Sequence, residues 1–252
     1  MTANLFDLTD RVAIITGGSR GLGREMALGF AHAGADVVIA SRKQASCDET
    51  AAEVRSATGR RAFPFACHVG DWDQLEPLVD AAYAEFGRVD VLVNNAGMSP
   101  LYDQVANVTE ALYDKVLDVN LKGPFRLSAL VATRMAAAGG GSIINVSSVA
   151  AVRPTPDVIP YAAAKAGLEA MTVAFAKGFG PTVRVNCIEA GSFMTDISKA
   201  WDLEAFEKIA KFRIPLQRGG EPHEIVGTAL YLASDASTYT TGAVIRVDGG
   251  AA

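Results

Sequence analysis

The sequence predicts an α/β fold in which helices cover both faces of a doubly wound parallel sheet. Short runs rich in β-branched residues recur along the chain, and helix-length stretches separate most of them. The runs are apolar at nearly every position, as expected of strands that are buried on both faces. The predicted strands are Val12–Thr16, Val37–Ala40, Val89–Val93, Ser142–Ser147, Val183–Ile188 and Ala243–Val247. The predicted helices include Gly21–Ala33, Cys47–Thr58, Gln74–Phe86, Glu110–Ala138 and Tyr161–Phe179.

The composition is that of a globular protein with a large core. Of the 252 residues, 50% are hydrophobic and 20% are charged, which argues against disorder. No low-complexity linker or internal repeat divides the chain, so we expect one domain over residues 1–252. A net charge of −5 without a basic cluster argues against nucleic acid and against an anionic membrane surface as partners.

Cysteine usage and the N-terminal segment predict a cytoplasmic protein. Cys47, Cys67 and Cys187 are odd in number and widely spaced, which is typical of a reducing compartment rather than of a disulfide framework. The N-terminal segment carries acidic side chains where a signal peptide needs basic ones. No stretch of about 20 apolar residues is present to span a bilayer. We therefore expect no membrane partner and no bound metal.

A glycine-rich turn follows the first predicted strand. Its residues are Gly17, Gly18, Ser19, Arg20, Gly21, Leu22 and Gly23. Glycine permits positive φ and close backbone approach, and the N-terminus of the following helix offers free N–H groups to a phosphate. Tight packing of helix against strand also explains such glycines. Their position in the first βαβ unit favours the pyrophosphate of a dinucleotide and a Rossmann-like fold.

The end of the second strand indicates which dinucleotide is bound. NAD-binding proteins usually place a carboxylate there, whereas this strand ends in Ser41 and Arg42, with Asp36 at its start. Arg20 and Arg42 can bracket a ribose 2′-phosphate, with Ser41 adding a hydroxyl, because guanidinium binds phosphate in a bidentate manner. Two solvated surface arginines are the alternative interpretation. We expect NADP(H) to be preferred, with NAD(H) as the alternative cofactor.

Tyr161 and Lys165 lie four residues apart at the start of a predicted helix. This spacing places both side chains on one face of the helix, about 6 Å apart along its axis. We expect the ammonium group to lower the tyrosine pKa from about 10 towards working pH. Such a tyrosine serves as a general acid or base for a carbonyl or alcohol oxygen. The pair alone is common by chance, so its surroundings decide the interpretation.

Polar residues follow two predicted strands at the edge where ligands bind in an open parallel sheet. Ser148 ends one strand, thirteen residues before the tyrosine, and its hydroxyl can stabilise charge that develops on a substrate oxygen. The turn Asn95–Gly97 follows an earlier strand. Asn120 interrupts an apolar helical stretch with a side chain that competes for backbone hydrogen bonds.

In combination, these motifs resemble the short-chain dehydrogenase/reductase family over essentially the whole chain. The matching motifs are TGGSRGLG (16–23), NNAG (94–97), the asparagine of DVNLKGPF (120), INVSS (144–148), YAAAK (161–165) and TGAVIRVDGG (241–250). Their order and spacing make chance agreement negligible. The resemblance implies a carbonyl reductase or alcohol dehydrogenase that transfers hydride between a nicotinamide cofactor and a small-molecule substrate.

The resemblance also implies a role for each matching polar residue. Tyr161 is expected to be the general acid/base, and Lys165 to hold the nicotinamide ribose and lower the tyrosine pKa. Ser148 is expected to orient the substrate oxygen, and Asn120 to hold a water that links Lys165 to solvent. Cofactor contacts outside the glycine-rich turn are implied for Asn95, Ala96, Gly97, Tyr161, Lys165, Gly191, Phe193 and Thr195.

Two departures from the family pattern concern the cofactor cleft. His68 and Val69 replace the usual Asp-Val pair that contacts adenine, and we expect His68 to border the adenine pocket rather than to bind a metal. Ala190 and Gly191 replace the usual Pro-Gly turn. We expect this change to loosen the nicotinamide pocket without removing a reacting group.

The substrate region is predicted to be apolar. Residues 192–215 are rich in bulky apolar side chains, Ile197 among them, and the family resemblance makes this region a substrate lid. Simple packing is the alternative explanation of their helical spacing. The expected pocket wall consists of Met98, Val149, Val158, Ile159 and Trp201. A moderately hydrophobic ketone, a 3-oxoacyl thioester or a cyclic ketone or alcohol fits this wall better than a free sugar.

Two further interpretations concern assembly and function. The helical stretches after Asn120 and after Tyr161 are apolar on nearly every side, which predicts self-association. The resemblance favours a homotetramer, with a dimer as the alternative. A catalytically silent, dinucleotide-binding regulatory protein is the alternative function, although it has no need of all four predicted catalytic residues. An epimerase or dehydratase of nucleotide sugars is disfavoured because little chain follows the predicted lid.

Overall fold

The computed structural model describes residues 4–195, 198 and 203–251. The strands are β1 (Val12–Thr16), β2 (Asp36–Ser41), β3 (Ala62–Ala66), β4 (Val91–Asn94), β5 (Gly141–Ser148), β6 (Val183–Ala190) and β7 (Val244–Val247). The helices are α1 (Gly21–His32), α2 (Gln44–Thr58), α3 (Leu75–Phe86), α4 (Glu110–Leu117), α5 (Gly123–Ala137), α6 (Ile159–Phe179), α7 (Leu203–Arg213) and α8 (Val226–Ala233).

The seven strands form one parallel sheet in the order β3-β2-β1-β4-β5-β6-β7. Ile14 of β1 is paired with Val38 of β2 on one side and with Leu92 of β4 on the other. The strand order reverses between β1 and β4, and such a reversal opens a crevice at the carboxyl ends of the strands. The predicted doubly wound parallel sheet is confirmed.

Helices cover both faces of this sheet because successive side chains of a strand point in opposite directions. Ala13 and Ile15 belong to a core shared with α1, α2 and α8. Ile14, between them, belongs to a second core shared with α3, α5 and α6. All three side chains are fully buried, which explains the nearly continuous apolar runs of the sequence. Among the described residues, no helix is both long enough and apolar enough to cross a lipid bilayer.

β3 and α8 were not among the elements predicted from the sequence, and α7 lies within the predicted lid, residues 192–215. The sequence of β3, AFPFA, contains Pro64, which has no N–H group to donate to a neighbouring strand. β3 lies at the edge of the sheet and pairs with β2 alone, and a missing donor is tolerated at an edge. The α8 segment lies against α1, where Gly29 permits close approach of Val226.

The helix predicted over 110–138 is divided into α4 and α5 by a π-helical turn over Asp118–Lys122. Asn120 lies within this turn and is fully buried. π-helical turns insert one residue into a helix and are frequent at functional sites. The polar residue that stood out in an apolar stretch therefore marks a break in the helix.

Candidate active site

The glycine-rich turn between β1 and α1 depends on glycine at two positions. Gly17 has a φ of 65°, in the left-handed region that side chains disfavour. A Cβ on Gly23 would lie 2.3 Å from the carbonyl oxygen of Gly17, so even alanine would clash with backbone. Arg20, the N-cap of α1, makes no side-chain hydrogen bond to the helix. The N–H groups at this helix end are therefore open to an anion.

Thr16 and Asn95 join the carboxyl ends of β1 and β4. The Thr16 hydroxyl accepts hydrogen bonds from the backbone N–H groups of Asn95 (3.0 Å) and Ala96 (3.1 Å). Asn95 Nδ2 donates to the carbonyl oxygen of Thr16 at 2.9 Å. The predicted turn Asn95–Gly97 is thus held against the glycine-rich turn, and the Asn95 amide acts mainly by shaping the cleft.

Tyr161 and Ser148 meet at the carboxyl end of β5. The Ser148 side chain forms a hydrogen bond with Tyr161, and its oxygen accepts one from the backbone N–H of Ala150 at 3.2 Å. Burial raises the pKa of Tyr161, and the Ser148 hydrogen bond opposes this change. We expected Lys165 to lower the pKa of Tyr161. In the protein without a cofactor the pKa is raised instead, because removal of the phenolate from water is the larger effect. Tyr161 is therefore a neutral phenol that can donate a proton.

Lys165 is buried with 3% of its surface exposed. Its Nζ donates to the carbonyl oxygen of Val146 at 2.7 Å and lies 5.7 Å from the centroid of the Tyr161 ring. Burial lowers the pKa of Lys165 from 10.5 to about 8, because removal from water disfavours the charged amine. The four-residue spacing seen in the sequence thus brings the two side chains together.

Asn120 connects the π-helical turn to the segment that follows β4. Its Nδ2 donates to the carbonyl oxygens of Met98 (2.8 Å) and Val116 (2.9 Å), and its Oδ1 accepts from the backbone N–H of Met98 at 3.2 Å. Both amide hydrogens are therefore used within the protein. A Cβ added to Gly97 would lie 3.0 Å from Asn120 Oδ1 and 3.7 Å from Lys165 Nζ. The structure thus places Asn120 and Lys165 beside the same glycine.

The residues predicted to select the dinucleotide lie at the end of β2 and the start of α1. Ser41 Oγ lies 3.1 Å from Cys47 Sγ on α2. Arg20 and Arg42 are exposed, and within the described part of the chain neither guanidinium has a hydrogen-bond or ion-pair partner. Arg24 on α1, by contrast, donates from Nε to Glu53 at 2.9 Å. Arg20 and Arg42 are accordingly available to a ligand anion.

His68 and Val69 follow β3. His68 Nδ1 accepts a hydrogen bond from the backbone N–H of Gly70 at 3.1 Å, and the His68 N–H donates to Gln74 Oε1 at 2.8 Å. Val69 is buried. Across the described residues, no group of three or more His, Cys, Asp or Glu side chains is arranged for a metal.

Gly191, Phe193 and Thr195 follow β6. The Gly191 N–H donates to the carbonyl oxygen of Val247 at 2.9 Å, so β7 supports the turn that lacks the usual proline. Phe193 is buried. A Cβ added to Gly21 would lie 3.5 Å from the side chain of Thr195, which shows that the structure brings Thr195 to the glycine-rich turn.

A buried chain of polar side chains supports the site and was missed in the sequence. Asn94 Nδ2 donates to Asn145 Oδ1 at 2.8 Å, and Asn145 Nδ2 donates to Thr172 Oγ1 at 2.8 Å. These bonds connect β4 and β5 to α6, the helix that carries the tyrosine. The available signal was Asn94 at the end of β4 and Asn145 within β5, because a buried amide needs partners.

An apolar cavity of about 370 Å³ lies beside the start of α6. Its lining residues include Tyr102, Val105, Val108, Tyr113, Ile159 and Pro160. A smaller cavity shares Tyr102 and Pro160 with it and reaches Val158 and Tyr161. Val158 and Ile159 of the predicted substrate wall therefore line cavities near the tyrosine. Trp201 of that wall, and Ile197 of the predicted lid, lie outside the described residues.

The residues present fit a nicotinamide dinucleotide. The glycine-rich turn offers an open helix N-terminus to a pyrophosphate. A Cβ on Gly17 would lie 3.0 Å from Ala96 Cα, so this glycine lets the turn pack against the segment that follows β4. Two unpaired guanidinium groups lie towards one end of this cleft. The tyrosine, serine and lysine lie at the carboxyl end of β5, where a substrate oxygen would meet them.

The chain matches known proteins over almost its whole length. A family model described as "Enoyl-(Acyl carrier protein) reductase" matches residues 17–252. The human "Dehydrogenase/reductase SDR family member 4" is 36% identical over 245 residues, which cover 96% of this chain and 88% of that protein. The chain belongs to the short-chain dehydrogenase/reductase family. The 3-oxoacyl-[acyl-carrier-protein] reductase FabG of Thermotoga maritima is 38% identical over 244 residues, covering 96% of this chain and 98% of that protein.

Solved structures of dehydrogenases and reductases share its fold. A 7α-hydroxysteroid dehydrogenase, complexed with NADH and 7-oxo glycochenodeoxycholic acid, superposes with a TM-score of 0.94 at 32% identity, covering 99% of this chain and 97% of that one. An NADPH-dependent 3-quinuclidinone reductase from Rhodotorula rubra gives a TM-score of 0.93 at 30% identity, with coverage of 100% and 96%. The predicted fold and enzyme class, an oxidoreductase of CH–OH and carbonyl groups, are confirmed.

Proposed function

We propose that this short-chain dehydrogenase/reductase interconverts a carbonyl group and a secondary alcohol on a small, moderately hydrophobic substrate, and that it prefers NADP(H) to NAD(H). One observation carries the reaction: Tyr161 is hydrogen-bonded to Ser148 while Lys165 is buried beside it. A proton donor, a second hydroxyl and an ammonium group thus lie together at the end of one strand. Such an arrangement supports proton transfer to an oxygen that gains negative charge.

Tyr161 is the general acid in carbonyl reduction and the general base in alcohol oxidation. Its phenol donates a proton to the substrate oxygen, and Ser148 donates a hydrogen bond to the same oxygen. When bound, the nicotinamide supplies or accepts the hydride at the substrate carbon. The raised pKa of Tyr161 keeps the phenol protonated at neutral pH, which favours its use as an acid.

Lys165 and Asn120 support the tyrosine from the side of Gly97. Lys165 holds the ribose hydroxyls of the dinucleotide, and its positive charge stabilises the phenolate that forms when Tyr161 gives up its proton. Asn120 Oδ1 accepts one hydrogen bond within the protein, and an amide oxygen has a second lone pair for a water. We place the water of the proton relay at this oxygen.

The cofactor preference depends on residues at the end of β2. Because one compared enzyme is NADPH-dependent and another is complexed with NADH, membership in the family does not decide between the two dinucleotides. The exposed guanidinium groups of Arg20 and Arg42, together with the absence of a carboxylate after β2, favour a 2′-phosphate. The pyrophosphate is assigned to the glycine-rich turn and Thr195, and His68 to the border of the adenine pocket.

The substrate is proposed to extend from Tyr161 into the apolar cavity lined by Tyr102 and Ile159. A cavity of about 370 Å³ has the size of a small ligand site. An acyl chain or a ring system buries apolar surface against Val105, Val108 and Ile159, and among the described residues the polar side chains of the lining are limited to Thr109, Glu110 and the two tyrosines. A 3-oxoacyl thioester and a cyclic ketone are therefore the preferred candidates.

Self-association through α5 and α6 is also proposed, as a homotetramer with a dimer as the alternative. Phe125 is 45% exposed and Val173 is 37% exposed, which leaves apolar surface on both helices. Trp72 stacks on Phe125 with ring centroids 6.4 Å apart, and Phe175 lies edge-on at 5.9 Å. Light scattering coupled to size exclusion tests this; a monomer at micromolar concentration would contradict it.

A cytoplasmic location stays a prediction from cysteine usage. Cys47, Cys67 and Cys187 are free and buried in the structure. Free thiols are typical of a reducing compartment.

The function is tested with a panel of substrates and both cofactors. The panel contains a cyclic ketone, a 3-oxoacyl thioester, a secondary alcohol and a free sugar, and absorbance of the reduced nicotinamide reports turnover. We expect turnover of the apolar carbonyl compounds, faster with NADPH than with NADH. Tight dinucleotide binding without turnover of any compound would contradict the enzyme and favour the catalytically silent regulatory protein.

A further inference from the structure

A cluster of charged side chains lies one helical turn from Lys165, where α6 packs against β5 and β6. Glu169 follows Lys165 by four residues, so the two side chains share one helix face. Ser147 Oγ donates to Glu169 Oε1 at 2.7 Å and lies 3.3 Å from the backbone carbonyl oxygen of Lys165. The carboxylate is thus held at a defined position near the lysine.

A second carboxylate, Glu189 of β6, lies at the same level of the sheet. It is paired with Ser147 in the register of β5 and β6, and it is 1% exposed. Its Oε1 accepts from Arg246 Nε of β7 at 2.5 Å. Arg246 therefore balances the charge of Glu189 at short range.

The titratable and charged groups around Lys165 come from every element packed against it. They are Tyr161 and Glu169 of α6, Cys187 and Glu189 of β6, and Arg246 of β7. Burial raises the pKa of the Cys187 thiol to about 12, so it is neutral at working pH. Burial also raises the pKa of Glu169, whereas the Ser147 hydrogen bond, Arg246 and Lys165 favour its ionised form. Glu169 is the carboxylate whose negative charge raises the pKa of the lysine and so opposes the effect of burial.

We propose that Glu169 is a positioning residue whose carboxylate, held by Ser147, keeps Lys165 positively charged inside the protein. The Lys165 ammonium donates to the Val146 carbonyl oxygen, which orients it without neutralising it, so Glu169 acts on this charge through space rather than by a direct ion pair. The proposal depends on the proposed function only for the use that the enzyme makes of this charge. The state of Lys165 itself is measured without substrate or cofactor.

Glu169→Gln tests the proposal because glutamine keeps the size of the side chain and an acceptor for Ser147 but removes the charge. Lysine side chains labelled with ¹³C are titrated by NMR, and Lys165→Arg assigns the resonance by its loss. In the wild type we expect a midpoint near pH 8 for Lys165. In Glu169→Gln we expect it to fall by about one pH unit, the lower end of the effect of a nearby opposite charge.

Two variants control for unrelated changes. Glu49→Gln removes an exposed carboxylate of α2 and leaves the Lys165 midpoint unchanged. Glu169→Asp keeps the charge and restores the midpoint towards the wild-type value. An unchanged midpoint in a folded Glu169→Gln protein, or a fall as large in Glu169→Asp as in Glu169→Gln, would overturn the proposal. If Glu169→Gln does not fold, Ser147→Ala replaces it, because it releases the carboxylate from its hydrogen bond; we expect a lowered Lys165 midpoint, and an unchanged midpoint would overturn the proposal.

Turnover separates this proposal from the proposed function. With the Lys165 midpoint lowered from about 8 to about 7, the charged fraction falls about five-fold at pH 8 and hardly at pH 6. We therefore expect kcat/KM for the reduced cofactor to fall about five-fold at pH 8 relative to pH 6 in Glu169→Gln. A shifted NMR midpoint without this pH-dependent loss supports the action of Glu169 on the charge of Lys165 and contradicts the catalytic use of Lys165.

Discussion

The two ends of the cofactor cleft differ in how the protein holds its cations. At the end of β5, Lys165 is buried and donates to a backbone carbonyl oxygen, one helical turn from Glu169. Near β2, Arg20 and Arg42 are exposed and have no hydrogen-bond or ion-pair partner among the described residues. At the β5 end, folding already fixes the position of the cation. Near β2, the two guanidinium groups take a defined position only when a ligand anion binds.

This difference has an energetic cause. A buried amine is expensive unless it is hydrogen-bonded, so its position is specified by the surrounding backbone and side chains. An exposed guanidinium is already solvated, so folding does not restrict it strongly and a phosphate must do so on binding. Substitutions at the two ends are therefore expected to affect different quantities, turnover at one and cofactor choice at the other.

Tyr161→Phe is expected to give the largest effect. Loss of the hydroxyl removes the proton donor but leaves the ring, so kcat falls by about 10² to 10⁴-fold while dinucleotide affinity stays within two-fold or so. Stopped-flow turnover and fluorescence titration measure the two quantities. Tyr239→Phe, at a fully exposed position, is the matched control. Retention of wild-type kcat in Tyr161→Phe would remove the tyrosine from the mechanism.

Arg42→Asp is expected to give the next largest effect, at the other end of the cleft. Loss of a charge-assisted contact with a 2′-phosphate, and gain of a carboxylate, changes the NADPH/NADH ratio of kcat/KM by about 10- to 100-fold towards NADH. Lys43→Asp replaces a positive by a negative charge, as Arg42→Asp does, at the neighbouring exposed position, and so controls for the general change in electrostatic potential. Equal ratios in Arg42→Asp and wild type would refute the proposed NADP(H) preference.

Gly23→Ala tests the turn that connects the two ends. The added methyl group meets the Gly17 carbonyl oxygen, so we expect a loss of roughly 1–3 kcal/mol in unfolding free energy and weaker dinucleotide binding. Gly227→Ala on α8 is the control, because nothing lies within 4 Å of its added Cβ. Thermal melts of both variants, with and without dinucleotide, provide the measurement. A Gly23→Ala protein as stable as Gly227→Ala would show that the close approach is not required.

Lys165→Met is expected to give the smallest effect, a modest stabilisation of the fold. The pKa of Lys165 lies below its ordinary value, so burial of the charge costs on the order of 3 kcal/mol at pH 7. Above pH 8 the folded-state amine becomes neutral while the unfolded one stays charged until about 10.5, so wild-type stability rises across this range. Between pH 6 and pH 10, the melting temperature of Lys165→Met should exceed that of the wild type by a few degrees, and the difference should shrink as the pH rises. A difference that grows with pH would contradict the cost of burying the charge.

Much of the fold and of the candidate site was predictable because it depends on local pattern. Strand periodicity, the position of the glycines and the Tyr161–Lys165 spacing are short-range features. β3 was not predictable, since Pro64 is acceptable only at a sheet edge, and the edge is defined by the other strands. The expected direction of the Tyr161 pKa shift was wrong. The spacing in the sequence reveals a nearby positive charge, but not that burial removes water from the phenol.

The sequence by itself determined the doubly wound sheet, the glycine-rich turn and the family, since each follows from residue type and spacing along the chain. Tertiary structure alone decided which groups from other elements surround the helix face that carries the lysine. Glu169 and Glu189 are twenty positions apart, yet both lie at Ser147, because the parallel register of β5 and β6 and the packing of α6 bring them there. Electrostatic interactions depend on distance and burial, and neither is written in the order of residues.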